Sequence, residues 1–226
     1  MKVLIKFAAN KKLIMGQTGC VIFDCDGVLV DSEVLGISIL LDMTAEYGVK
    51  VELEQAVKEL SGRRLKESIA MLQSRAGSTF PADLEVKFRE RSYAVFPTEV
   101  LPVAGIQEVL ETLSIPFCVA SSGPVEKIWL NLTNTGLIQY FDQRIFSAYE
   151  INSWKPDPGI FLHAASQMGF TPDQCVVVED SLAGIQAAKA GGFKVLGYAN
   201  GHNARDLEQA GATVFHHMRE LPALLA

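Results

Sequence analysis

The sequence predicts an α/β protein: a mostly parallel sheet between helices, with an all-helical block inserted near its start. Two observations carry this. Short apolar runs recur at "CVIFD" (20–24), "PFCVAS" (116–121), "CVVVED" (175–180), "KVLGY" (194–198) and "TVFH" (213–216), with helix-like segments between them at 104–113, 124–135, 158–168 and 181–190. Strands alternating with helices give βα units, and their parallel strands lie in one sheet covered on both faces, a Rossmann-like three-layer core. The second observation is that the rhythm fails between Ser32 and Phe96, where only helical spacing is found.

Taken in order, residues 1–19 ("MKVLIKFAANKKLIMGQTG") form an extension outside the fold. Their apolar run is broken by Lys6 and has no convincing cleavage site, so they make a poor signal peptide, and Met15 offers an alternative start. "CVIFD" ends in Asp and leads into Gly27, the pattern of a strand buried on both faces. Residues 32–96 then hold the amphipathic stretches "EVLGISILLDMTAEYG", "LEQAVKELSG", "LKESIAMLQSRAG" and "ADLEVKFRERSYAVF", separated at Gly48, Gly62, Gly77 and Pro81. They read as a small separate domain. "PTEVLPVAG" (97–105) has the prolines of a return connection, and residues 20–31 with 97–226 form the core.

Composition bounds the function classes. Apolar residues are 49% and charged residues 20% of the 226, which is the balance of a core-forming globular chain. A net charge of −6 argues against nucleic acid and against an anionic membrane surface as partners. No apolar run reaches the roughly 20 residues of a membrane span. Cys20, Cys25, Cys118 and Cys175 lie in strand-like runs without a CxxC pair, so they read as small buried residues in a reducing compartment, and a cytoplasmic location is expected.

The chemistry gathers at strand ends. In "FDCDG", Asp24 and Asp26 are two apart and so can face one pocket at the carboxyl end of the first strand, where open parallel sheets bind ligands. Glu179 and Asp180 end another strand just before a helix. Four acids from two strand ends call for a counter-ion, and Mg²⁺ suits an all-oxygen set. Ser121, followed by Ser122 and Gly123 at a helix start, offers a hydroxyl and backbone N–H groups to an anion, and Lys155 precedes a proline-stiffened turn that would aim its ammonium. Metal, cation, hydroxyl and a spare carboxylate together describe phosphoryl transfer. Each residue alone has a plainer reading as a turn, a cap or a surface charge; the matched set does not.

"DCDGVLVDSE", "VASSGP", "KPDPGIF" and "VVVEDSLAGIQAAKAG" resemble the four ordered motifs of the haloacid dehalogenase-like hydrolases, over about residues 20–200. The helical block stands where subfamily I of that family keeps its cap domain. The resemblance implies that Asp24 is a nucleophile forming an aspartyl-phosphate, and that Asp26 protonates the leaving alcohol and later activates water. It further implies Mg²⁺ on the Asp24 carboxylate, the Asp26 carbonyl and Asp180, with Glu179 direct or through water, and Ser121 with Lys155 on the phosphoryl group. Arg63 and Arg64 fall on a cap loop where the family places substrate-recognition residues, and Glu33 joins them as a specificity candidate. Dehalogenases of the family lack the acid two residues after the nucleophile; Asp26 is present here.

Phosphatase and phosphomutase both fit. The chain resembles β-phosphoglucomutases in layout, yet a cap-loop Arg and the basic residue after the second motif of that group correspond here to Leu65 and Pro124. "SSGP" with "FSAYEINSWKPDP" is similar to bacterial phosphatases acting on 6-phosphogluconate and related sugar phosphates. The expected activity is therefore hydrolysis of a small phosphorylated metabolite by a monomer or weak homo-oligomer, with a mutase and a non-catalytic phosphometabolite-binding protein as alternatives. Asp31 reads as a structural acceptor near the cap hinge, Trp154 as packing at the pocket border, and His163, His202, His216 and His217 as structural or surface residues.

Overall fold

The computed structural model describes residues 18–61, 63–199 and 203–226. In chain order these form β1 (Cys20–Phe23), the two-residue strand β2 (Val30–Asp31), and helices α1 (Glu33–Ala45), α2 (Leu53–Leu60), α3 (Leu65–Gln73) and α4 (Leu84–Glu99). A second two-residue strand, β3 (Leu101–Pro102), leads to α5 (Ile106–Thr112), β4 (Phe117–Ser121), α6 (Val125–Asn134), β5 (Ile145–Ser147), α7 (Ala148–Ile151) and α8 (Gly159–Met168). The chain ends with β6 (Cys175–Glu179), α9 (Leu182–Ala190), β7 (Lys194–Tyr198), α10 (Ala204–Gln209), β8 (Thr213–Phe215) and α11 (Leu221–Leu224).

Six strands make one parallel sheet in the order β5-β4-β1-β6-β7-β8. The central strands are apolar throughout because both faces are covered. In β1, Val21 and Phe23 enter one hydrophobic cluster while Cys20 and Ile22 enter the other, and β4 and β6 divide their side chains in the same way. Each such side chain contributes about 1.5–3 kcal/mol by leaving water, so the sheet centre is the rigid part on which the site is built. The chain leaves β1, forms β4 and β5 on one side, and returns to place β6 on the other. The order therefore reverses beside β1, which opens a crevice at the carboxyl ends of β4, β1 and β6.

Helices α1 to α4 lie between β2 and β3, and no strand occurs among the described residues from 32 to 96, as expected. They share a cluster of their own, including Ile37, Leu40, Leu60, Leu72, Phe80 and Leu84. Ile39 and Phe96 instead join the main cluster, tying the helical layer to the sheet domain. Both connections pass through the antiparallel pair of β2 and β3, Val30 opposite Pro102 and Asp31 opposite Leu101.

Three expectations are adjusted. Helix α4 runs through Pro97 to Glu99, since a proline in the final turn removes one donor while the Val100 N–H still closes that turn on the Phe96 carbonyl at 3.1 Å. Strand β5 was not expected. Gly19, placed in the extension, already donates its N–H to the Gln174 carbonyl at 2.8 Å; residues 1–17, Gly62 and His202 lie outside the described residues. The four cysteines are free and buried. Among the described residues no helix is long and apolar enough to cross a membrane.

Candidate active site

Asp24 follows β1 directly, its N–H bonded to the Val178 carbonyl of β6 at 3.0 Å, so the sheet itself fixes where its carboxylate stands. Glu179 ends β6 and Asp180 follows it. One carboxylate oxygen from each of Asp24, Glu179 and Asp180 lies within 4.8 Å of the others, and all three residues are buried. The turn after β1 makes this approach possible: Gly27 has φ +82°, and a Cβ on it would stand 2.0 Å from Asp180 Oδ2. Only glycine combines that backbone with that vacancy.

Lys155 is the cation of the cluster. Its Nζ lies 2.7 Å from Asp24 Oδ1 and 2.5 Å from Glu179 Oε1. Burial works against its charge, but Asp24 and Glu179 outweigh that and raise its pKa. The other Glu179 oxygen accepts from the Asp180 N–H (2.9 Å), the Ser181 N–H (2.8 Å) and the Ser181 hydroxyl (2.9 Å). Glu179 thereby orients Lys155 and the turn carrying Asp180, with both of its oxygens engaged. Asp180 is anchored from behind by Asn203, whose Nδ2 donates to the Asp180 carbonyl at 2.8 Å.

One ammonium does not balance three carboxylates. Burial, opposed by Lys155 and reinforced by Glu179 and Asp26, pushes Asp24 up to about 7. Burial together with Glu33, Glu179 and Asp24 raises Asp180 well above the usual carboxylate range. A buried, all-oxygen donor set with excess negative charge fits a hard divalent cation such as Mg²⁺.

Asp26 is held apart from that cluster. Its Oδ1 accepts from the Ser32 hydroxyl and from Asn131 Nδ2 at 3.4 Å, and its Oδ2 pairs with Lys127 Nζ at 2.8 Å. Burial alone would favour the neutral acid, but Lys127 and the Ser32 hydrogen bond prevail and keep its pKa below the usual value. The two aspartates, two residues apart, are thus shifted in opposite directions: at Asp24 burial and Glu179 outweigh Lys155, whereas at Asp26 Lys127 and Ser32 outweigh burial.

A cavity of about 420 Å³ opens over these groups, within the ~300–1,000 Å³ usual for small-molecule sites. Asp24, Asp26, Ser121, Ser122, Lys155 and Asp180 line it from the sheet domain, and Glu33, Arg63 and Arg64 from the helical layer. Glu179 lies beneath the lining. The Ser121 hydroxyl accepts from the Gly123 N–H at 3.0 Å, while Ser147 donates to the Gly123 carbonyl at 2.6 Å, which fixes the turn before α6. Arg64 stacks over the Trp154 ring at 5.1 Å, and Arg89 bonds the Tyr149 hydroxyl at 3.0 Å, so cap and core meet at the rim. Arg63 turns its Nε to the Glu59 carbonyl at 2.7 Å.

Asp31 stands exposed on β2, outside the acid cluster. His163 packs edge-on against Phe146 at 5.6 Å, and His216 and His217 are exposed. Lys127 was missed by sequence reasoning. Three positions after Pro124, the first turn of α6 carries the Lys127 ammonium back to Asp26. The available signal was a lysine in the first turn of a helix that begins at a candidate phosphate loop.

An α/β sheet with a reversed strand order and acids clustered at its switch point belongs to the class of proteins that bind ligands at the carboxyl ends of their strands, with a donor set able to hold a metal ion. The family profile of haloacid dehalogenase-like hydrolases matches residues 21–198, and the chain belongs to that family. It is 32% identical over 211 residues to 6-phosphogluconate phosphatase of Escherichia coli, covering 93% of this chain and 96% of that one. It is 30% identical over 199 residues to the phosphorylated carbohydrates phosphatase of Thermotoga maritima, covering 85% and 91%. Among solved structures, a haloacid dehalogenase-like protein of Agrobacterium tumefaciens superposes with a TM-score of 0.83 at 34% identity, covering 92% and 97%.

Proposed function

We propose that this protein is a Mg²⁺-dependent phosphatase that hydrolyses a small phosphomonoester, a sugar phosphate or a phosphorylated sugar acid such as 6-phosphogluconate, through an aspartyl-phosphate on Asp24. The observation that carries this reading is the pairing of unlike carboxylates. Asp24 sits in a buried cluster with Glu179, Asp180 and Lys155, while Asp26 faces the same cavity on separate partners.

In this reading residues 20–31 with 97–226 are the catalytic core and 32–96 the cap. The Asp24 carboxylate attacks phosphorus as the ester oxygen leaves. Asp26, ionised beside Lys127 in the free protein, takes up a proton as the phosphate monoester binds, gives it to the ester oxygen, and then takes one from the water that cleaves the aspartyl-phosphate, releasing it as inorganic phosphate departs. Lys155, with the Ser121 hydroxyl and the N–H groups around Ser122, binds the transferring oxygens and offsets their repulsion from Asp24. Asp24, the Asp26 carbonyl and Asp180 would hold Mg²⁺, with Glu179 joining them directly or through water. When bound, Mg²⁺ neutralises charge on the phosphoryl group and completes the balance that Lys155 alone leaves short. Glu33, Arg63 and Arg64 face the leaving group from the cap side. The free, buried cysteines support a reducing, cytoplasmic setting, and the 32% identical Escherichia coli phosphatase supports the substrate class.

The test is phosphate release from a panel that includes 6-phosphogluconate and β-glucose 1-phosphate, with Mg²⁺ and with chelator, using Asp24→Asn as control. Mg²⁺-dependent release that Asp24→Asn abolishes is expected. Conversion of β-glucose 1-phosphate to glucose 6-phosphate without net release would make the protein a mutase, and tight binding without turnover would make it a phosphometabolite-binding protein.

A further inference from the structure

Helix α6 buries Ile128, Asn131 and Leu132 as its inner stripe. Ile128 and Leu132 enter the main hydrophobic cluster, and helical spacing calls for a third apolar side chain at 131. The residue there is an asparagine, 0% exposed, whose Oδ1 has no hydrogen-bond partner among the described residues. A buried amide left half unpaired destabilises the folded chain. The bond its side chain does make is to the second carboxylate of the site, Nδ2 donating to Asp26 Oδ1 at 3.4 Å.

That bond completes a pattern at Asp26. Each carboxylate oxygen has two lone-pair sites. On Oδ1 both are taken, by the Ser32 hydroxyl and by Asn131, while on Oδ2 one is taken, by Lys127 Nζ at 2.8 Å. The site left open therefore belongs to Oδ2. That oxygen also lies beside the turn before α6, since a Cβ on Gly123 would stand 3.8 Å from Asp26 Oδ2 and 3.4 Å from Ser121 Oγ. The partners of Asp26 differ as anchors. Ser32 lies where the chain passes from β2 to α1, at the connection to the helical layer, and the Lys127 side chain is a flexible stem, 22% exposed. Asn131, by contrast, is a short side chain inside a helix packed on the sheet domain.

We infer that Asn131 is a positioning residue: by filling the second site on Oδ1 it presents Oδ2 to the substrate as the oxygen that exchanges a proton with the ester oxygen. As the ester oxygen parts from phosphorus, the O–H bond on Oδ2 breaks and one forms on the departing oxygen, so that the alcohol leaves neutral. Without Asn131 a site on Oδ1 reopens, and a proton held there faces α6 and not the leaving group. Asn131 touches no substrate in this role and acts through Asp26. The assignment rests on the phosphatase reading above.

The experiment compares wild type with Asn131→Leu and Asn131→Ala on two esters, the fastest sugar phosphate of the panel above and p-nitrophenyl phosphate. A sugar alkoxide must be protonated as it leaves, whereas p-nitrophenolate is stable enough to leave without a proton. The readout is kcat/KM, which covers the steps up to departure of the leaving group and so separates Asp26 as acid from its later work on water. General acid catalysis is worth ~10²–10⁴-fold, and loss of alignment should forfeit part of it. On the sugar phosphate kcat/KM is expected to fall about tenfold, while on p-nitrophenyl phosphate it stays within about twofold of wild type. The ratio between the esters does not depend on the fraction of enzyme folded, and the two substitutions err in opposite senses of volume, so a packing defect does not imitate the result. Equal loss on both esters, or no loss on either, would overturn the inference and make Asn131 structural. Should wild type release phosphate from neither ester with Mg²⁺ present, the phosphatase reading itself fails, and Asn131 has no acid to position.

Discussion

Replacing Gly27 with alanine tests the site with one methyl group. The added Cβ would lie 2.0 Å from Asp180 Oδ2 and 2.6 Å from its Cγ, whereas contacts under 3.0 Å are essentially never found, so the carboxylate must retreat by about 1 Å. The backbone contributes separately, because a non-glycine residue at φ +82° costs roughly 1–2 kcal/mol. Gly169, at the end of α8, also has φ +82° but has nothing within 4 Å of its virtual Cβ. Gly169→Ala therefore reports the backbone cost alone, about 1–2 kcal/mol in urea unfolding with kcat/KM within twofold of wild type. Gly27→Ala carries the same backbone cost and also displaces a proposed metal ligand. Such a displacement costs on the order of 100-fold in kcat/KM, about 2.7 kcal/mol of barrier, with a matching rise in the Mg²⁺ concentration for half-maximal rate. Stability alone is a poor gauge, since moving Asp180 also relieves its repulsion from Asp24 and Glu179. Steady-state phosphate release across an Mg²⁺ titration is the assay. Wild-type Mg²⁺ dependence in Gly27→Ala, together with the stability loss seen in Gly169→Ala, would refute the placement of Asp180 at the metal.

Two further outcomes follow from the opposed aspartates. In Lys127→Met, Asp26 loses the partner that keeps its carboxyl below the usual range, so the limb of the pH–rate profile that Asp26 governs should move to higher pH. A depressed native pKa stabilises above the unfolded value and the benefit is lost as pH falls through the native one. The variant should therefore be about 1–3 kcal/mol less stable at pH 7, with the gap closing in acid, and a profile unmoved in either measurement would contradict the pairing. For Asp24 the sign is reversed. Its native pKa, raised from 3.8 to about 7, means that the folded protein binds a proton more tightly than the unfolded chain between those values. In chelator, stability should fall as pH rises across that window, by at most about 4 kcal/mol from this group. Mg²⁺ competes with that proton, so the Tm gain on adding Mg²⁺ should be larger at pH 8 than at pH 5, and a pH-independent gain would argue against Asp24 as a ligand.

The central strands were legible because burial on both faces leaves nothing but apolar residues between Cys20 and Phe23, or between Cys175 and Val178. The acids that follow them stand out for the same reason, since a carboxylate at the end of such a run has few structural uses. Strand β5 was not legible. It is only three residues long, sits at the sheet edge and runs straight into α7, so no periodicity has room to develop. Lys127 was hidden by its company, since beside Glu126 in an amphipathic helix it reads as a solvated charge, and only the fold brings its long side chain to Asp26. Trp154 lay between, expected as packing near the pocket and found stacked beneath Arg64 at its rim.

The short antiparallel pair of β2 and β3 has a bearing on how such a protein can change over time. It holds Asp31 opposite Leu101, about 5 Å apart, so everything between them leaves and re-enters the sheet domain at a single point. To the sheet, that whole segment is one closed loop, and the entropy of closing a loop grows only with the logarithm of its length. Helices there can be lengthened, shortened or exchanged while Asp24, Lys155 and Asp180 keep their places. The groups that handle phosphate and those that face the rest of the substrate are therefore free to evolve at different rates within one chain.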